Sequence, residues 1–165
     1  MVLWLAVCAG CSTITEDEDT IERVKVGDFM PLFSVTMMYP ETTNPQHDQT
    51  TSQWTTMHLT GQTVIVFFNT SCGDCQRDLP LLNQYYLEHK DEPGFQMVAI
   101  SREEGPESVA AYWAANGLAI PYSPQEDRRI YNLFASSIIP RIYFCGADRI
   151  ITRIDVEKFD FPTSK

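Results

Sequence analysis

Apolar and polar positions come in blocks along this chain, and each block carries a readable period. "TVIVFFN", residues 63 to 69, is apolar almost throughout, the pattern of a strand buried on both faces. "GFQMVAIS", ending at Ser101, repeats it. Between them Leu79, Leu82, Tyr86 and Leu87 recur at helical spacing, and Pro80 is expected to kink that helix without ending it. "PESVAAYWAANG" predicts an amphipathic helix with Gly117 as its stop. "SPQEDRRIYNLFA" reads as a further helix, with Ser123 as N-cap and Pro124 in the first position. "PRIYFCGADRIITRIDV" predicts two strands around a tight turn at Gly146 to Asp148.

Upstream, "DFMPLFSVTMMY" has the β-branched and aromatic content for a short strand near Phe33 to Met38. "PETTNPQHDQTTSQ" reads as a long polar loop at the tip of an extended hairpin, with "WTTMHLTG" bringing the chain back. Strand, helix and strand followed by helix and hairpin predict an α/β sandwich around a central mixed sheet.

Length and charge narrow the picture. The chain has 165 residues, enough for one domain with a real core and too few for two ordinary ones. Its net charge of −10, with no basic run or basic helix face, argues against nucleic acid as a partner.

The chain opens "MVLWLAVCAGCSTITEDED". This apolar stretch is too short to cross a bilayer as a helix and suits the core of an export signal, or alternatively a buried N-terminal strand or helix. It resembles a bacterial lipoprotein signal, with Ala9, Gly10 and Cys11 matching the end of the lipobox. The resemblance implies lipid attachment at Cys11, a membrane contact through that lipid, and a place in the cell envelope as a periplasmic or outer-membrane lipoprotein. On this reading residues 1–10 are the signal segment, 11–27 an acidic linker, and 28–165 the folded domain. Export would permit disulfides, and Cys72, Cys75 and Cys145 would remain in the body.

Cys72 and Cys75 sit where the apolar run of residues 63–68 gives way to the predicted helix. At a helix start, free backbone N–H groups and the helix dipole favour an anion, so Cys72 is expected to be the attacking thiolate. Cys75, one turn inside, is placed to displace whatever Cys72 captures. Zinc is the competing use of such a pair, but Cys8 and Cys11 are too far off in sequence to complete a ribbon. Copper would want a nearby histidine, and His47, His58 and His89 are badly placed for it. No metal and no cofactor is expected.

The segment "FFNTSCGDC" after a buried strand, Pro80 eight residues past Cys72, and "SIIPRIYF" downstream together resemble the thioredoxin fold. The added N-terminal strands and "MVAISREEGPESVAAYWAANGLAIPY" resemble its TlpA/ResA branch of exported thiol–disulfide oxidoreductases. The resemblance implies a thioredoxin-like fold with an added N-terminal β-hairpin and a Cys72/Cys75 dithiol–disulfide couple. It also implies a cis peptide bond at Pro140, and a substrate backbone paired with Ile139 as an added strand. Protein disulfides or thiols would be the substrates, fed by an upstream electron donor.

The chain departs from that family in places. Asp74 replaces the proline common before the second cysteine, and its charge is expected to oppose the thiolate. Val66 occupies the place of a buried Asp that takes the resolving cysteine's proton, for which Glu103 or Glu104 could substitute, although both read more simply as surface charge. Arg141 follows Pro140 and is expected either to tune Cys72 or to be a solvated strand residue. Two alternatives remain. A peroxidase needs Pro and Thr where Ile65 and Asn69 stand; a non-catalytic binding lipoprotein needs only the fold. The family usually closes with a helix where this chain has "EKFDFPTSK", so either that helix is vestigial or one sheet face is covered differently, for example by a partner.

Overall fold

Every residue of Thr63–Phe68 (β3) is buried, and this strand lies near the middle of a seven-stranded sheet. The computed structural model describes residues 21–40 and 51–161. In chain order the other strands are Ser34–Met38 (β1), Thr51–Thr55 (β2), Gln96–Ser101 (β4), Tyr122–Ser123 (β5), Arg141–Cys145 (β6) and Ile151–Val156 (β7). Two helices, Gly73–His89 (α1) and Pro106–Asn116 (α2), connect them. The strand order is β2-β1-β5-β4-β3-β6-β7. β3, β4 and β5 run parallel through the crossovers that α1 and α2 supply, and the two outer pairs are antiparallel. This is the thioredoxin-like arrangement that the resemblance implies, with β1 and β2 as the added hairpin.

Alternation along β3 assigns the two faces. Phe68 meets Trp113 of α2, and Phe144, in register with Val64, meets Tyr85 of α1, so both helices cover one face. Phe67 points the other way, against Tyr131, Phe134 and Tyr143. Each such aromatic contributes about 2–3 kcal/mol of burial relative to solvent exposure. At the foot of the sheet Gly94, with φ +81°, brings its carbonyl to where a Cβ on Gly61 would lie 2.7 Å away. Only glycine at both places lets the strands start so close together.

Several expectations need correction. No α-helix forms over residues 123–135. Ser123 is strand, its hydroxyl donates to the Thr36 carbonyl at 2.7 Å, and Gln125 bridges Glu104, so the start of this segment is held in the sheet between β1 and β4. Only a 3-10 turn at Tyr131–Leu133 remains, and it inserts Tyr131 over the face that lacks α1 and α2. In α1 the core positions are Leu79, Leu82 and Tyr85; Tyr86 is half-buried, and Leu87 is exposed. Thr51 to Gln53, expected in the polar loop, are β2, and residues 41–50 lie outside the described residues. Residues 21–27, read as the end of a linker, are docked: Val24 is buried and Glu22 bridges Ala135. The tail covers the α1 side of the sheet itself, with Phe159 buried against Tyr85 and Phe161. Gly117 does stop α2, with φ 60°.

Candidate active site

A hydrogen-bonded loop presents the cysteines. Asn69 Oδ1 accepts from the Ser71 backbone N–H at 2.9 Å, an Asx turn that reverses the chain after β3. Glu104 accepts from the Thr70 backbone N–H at 2.7 Å and from its hydroxyl, and Gln76 donates to the Thr70 carbonyl at 2.7 Å. Glu104 is therefore an anchor of the motif loop, not free surface charge. Cys72 is the N-cap of α1, in extended backbone, and its sulfur accepts from the Cys75 N–H at 3.4 Å. The same sulfur lies 3.6 Å from the Ile139 carbonyl oxygen, to which its thiol can donate. The Ile139–Pro140 peptide bond is cis.

The two thiols differ in environment. Cys72 is half-exposed and Cys75 fully buried; with Cys145 they are free cysteines. Burial pushes the Cys75 thiol well above its ordinary range, the hydrogen bond with Cys72 adds to the rise, and the Arg102 guanidinium opposes it. Cys75 thus holds its proton while Cys72 meets solvent. Val66 is buried and apolar, so no carboxylate stands on β3 to receive that proton.

Asp74 is not the bare negative charge that sequence reading supposes. Arg77 Nη1 meets it at 2.5 Å, Arg77 Nε meets Asp78 at 2.7 Å, and Arg77 Nη2 donates to the Glu157 carbonyl at 2.6 Å. Asp78 is fully buried and also accepts from the Phe159 N–H at 2.7 Å. Helix α1 and the tail are tied together by these bonds. No motif signalled this; only the i, i+3 spacing of Asp74 and Arg77 hinted at it.

Arg141 is neither solvated nor beside α1. It is fully buried, and its register with Phe67 puts it on the opposite face of the sheet from α1. Nη1 meets Glu22 at 2.7 Å, while Nε donates to the carbonyls of Ser137 at 3.0 Å and Ile138 at 3.1 Å. Tyr131 Oη donates to the Ile138 carbonyl as well, at 2.7 Å. Ile138 has φ 69°, a conformation a β-branched residue rarely adopts, and these donors hold it there. Arg141 Nη2 and Tyr143 Oη, two positions apart on one strand face, are buried without a hydrogen bond. Burial pushes the Tyr143 hydroxyl up to about 12.

Among the described residues no group of three or more His, Cys, Asp or Glu is arranged to hold a metal ion, and no helix is long and apolar enough to cross a membrane. Ala9, Gly10, Cys11, Glu16 to Asp19 and His47 lie outside those residues. Asn69 and Ile65 are committed to the turn and the core, the one bonding Ser71 and the Arg102 carbonyl, the other fully buried.

Comparison with known proteins gives the chain its relatives. The profile of the AhpC/TSA family matches residues 26–154. Over 87 residues the chain is 34% identical to a probable nucleoredoxin 1 of Arabidopsis thaliana, covering 51% of this chain and 15% of that protein. Over 82 residues it is 23% identical to the thiol-disulfide oxidoreductase ResA of Bacillus thuringiensis, covering 50% of this chain and 47% of the relative. The chain therefore spans less than half of either protein's length. A solution structure of a candidate protein disulfide isomerase from Bacteroides thetaiotaomicron superposes with TM-score 0.71 at 23% identity, covering 83% of this chain and 82% of that one.

Proposed function

This chain belongs to the AhpC/TSA family, and from that premise we propose that it is a thiol–disulfide oxidoreductase working through a Cys72/Cys75 couple. The observation that carries the reading is the place of the Cys72 sulfur. It caps α1 at the Cys75 N–H, 3.4 Å away, and faces the Ile139 carbonyl, 3.6 Å away, on the half-exposed side of the loop.

The Cys72 thiolate attacks one sulfur of a substrate disulfide. A bond forms between Cys72 and that sulfur, the substrate's S–S bond breaks, and the departing sulfur takes a proton. Cys75 then attacks Cys72, their disulfide forms, and the second substrate sulfur leaves with the proton Cys75 gives up. Two electrons pass to the substrate. Ile139 and Pro140 border the sulfur, and a substrate strand lies against Ile139. An upstream dithiol donor returns the couple to its reduced form. Lipid attachment at Cys11 and a place in the bacterial cell envelope belong to the same proposal, supported by Ala9, Gly10 and Cys11.

A peroxidase reading draws on the family profile, but Asn69 and Ile65 stand where that chemistry needs Thr and Pro. The test is the reduction potential of the purified chain in thiol–disulfide buffers, with Cys72→Ser as control. A reversible two-electron couple that vanishes in the control supports the proposal. Absence of any couple in the wild-type chain leaves a binding protein of the same fold, and fast turnover of peroxide instead of disulfides favours the peroxidase.

A further inference from the structure

Ile138 lies between the reactive sulfur and a second feature of the surface. Its neighbour Ile139 meets the Cys72 sulfur, and Ile138 itself lines a cavity of about 380 Å³ walled by Arg23, Arg102, Arg128, Asn132 and Ser137. That gathers three arginines at one opening in a chain of net charge −10. The cavity adjoins the motif loop: the Arg102 N–H donates to the Phe68 carbonyl at the end of β3, and Asn69 Nδ2 donates to the Arg102 carbonyl at 3.1 Å. The Arg102 guanidinium lies 5.0 Å over the Tyr131 ring, and its Nε is buried without a hydrogen bond.

One carboxylate serves two of these arginines, and Arg128 Nη2 also donates to the Ser136 carbonyl. Glu103 stands 3.9 Å from Arg102 Nε and 3.6 Å from Arg128 Nη1, both beyond hydrogen-bonding distance. Arg23 is exposed and has no carboxylate partner among the described residues. The guanidinium groups of Arg23, Arg102 and Arg128 line the opening and offer an entering carboxylate charge-assisted bonds.

Resting on the oxidoreductase reading, we propose that this cavity binds an acidic side chain of the substrate polypeptide, close in sequence to the cysteine that Cys72 attacks. Successive Cα atoms are about 3.8 Å apart, so a strand laid along Ile139 carries its neighbouring side chains to the arginines within one or two residues. The protein as a whole repels acidic polypeptides, and this opening reverses that repulsion where the reaction occurs.

The experiment uses the reduced chain and three peptides sharing one disulfide, with Glu, Gln or Lys two residues from the attacked cysteine. The Glu peptide is expected to exchange about tenfold faster than the Gln peptide and the Lys peptide slowest, a ranking that weakens with salt. In Arg23→Gln with Arg128→Gln the Glu-to-Gln ratio falls toward one; Arg23→Gln alone, at an exposed position, lowers it partway if the pair fails to fold. Equal rates for the three peptides overturn the inference, as does a preference that survives the substitutions. A greater advantage for oxidised glutathione than for the Glu peptide assigns the opening to small thiols and overturns the polypeptide reading. No exchange with any disulfide overturns the oxidoreductase reading and the inference together.

Discussion

Cys72 and Ile139 stand 67 positions apart in sequence, yet the thiol of one lies 3.6 Å from the carbonyl oxygen of the other. The contact exists because β3 and β6 are antiparallel neighbours, so the loop after β3 and the loop before β6 meet at the same end of the sheet. Cys72 is the half-exposed partner and Cys75 the fully buried one, whose thiol burial holds protonated. Cys75→Ser is therefore expected to trap a stable mixed disulfide between Cys72 and a substrate, detectable by intact mass. Cys72→Ser is expected to trap none. Alkylation at neutral pH should label Cys72 first; preferential labelling of Cys75 would reverse the assigned roles.

Asp78 ties α1 to the tail. Its carboxylate is fully buried and takes one bond from Arg77 and one from the Phe159 N–H. Asp78→Ala leaves that backbone donor unpaired and loosens Phe159 from Tyr85. The expected loss is about 2–4 kcal/mol in urea unfolding, because charge-assisted bonds and an orphaned buried donor both count. Asp78→Asn keeps one acceptor and should lose less. A change below about 0.5 kcal/mol in both variants would mean that the Asp78 bonds to Arg77 and Phe159 add nothing to stability.

Arg141 acts on the loop that carries Ile138. It donates to the Ser137 and Ile138 carbonyls and pairs with Glu22 from the face opposite α1. Arg141→Met keeps the stem and removes the donors, so a loss of about 2–4 kcal/mol in stability is expected. Glu22 is 47% exposed, and Glu22→Gln should cost nearer about 1 kcal/mol. Direct tuning of Cys72 predicts a large fall in its reaction rate with a thiol reagent in Arg141→Met. Positioning from the far face predicts a change within about twofold, provided the variant is assayed while folded.

These bonds also mark where sequence reading reaches its end. Strands β3 and β4, helix α2 with its Gly117 stop, and the β6–β7 hairpin were legible because each is fixed by local periodicity and one punctuating residue. So was the place of Cys72 and Cys75 at the start of α1, where the apolar run ends and the helical pattern begins. Residues 123–135 were not, because a helical pattern there yields to tertiary bonds: Ser123 to Thr36, Gln125 to Glu104 and Ser101. The placing of Arg141 was not either. Its side-chain face follows from strand register with Phe67, and its partner Glu22 lies 119 positions away, a separation no local pattern encodes. The Asp74 charge was legible, whereas its pairing with Arg77 depends on a side chain that also reaches Asp78 and the Glu157 carbonyl of the tail.

Cys145 offers a pH test independent of the active pair. It is buried at the end of β6, and burial together with Asp148 pushes its thiol up to about 11. An unfolded cysteine titrates near ~8.5. The native state thus holds this proton more tightly than the unfolded chain does. The resulting stabilisation is complete below about pH 8.5 and is lost progressively as the pH rises toward about 11. Cys145→Ala should cost about 1 kcal/mol at neutral pH, from lost contact and a small cavity. Its deficit against the wild-type chain should then narrow and change sign through the alkaline range, because the variant has no such proton to lose. Cys75, raised in the same direction, contributes equally to both proteins and cancels in the difference. Urea unfolding under reducing conditions at several pH values decides it: a deficit that stays constant from neutral to strongly alkaline pH would show that the Cys145 thiol titrates as it does in an unfolded chain.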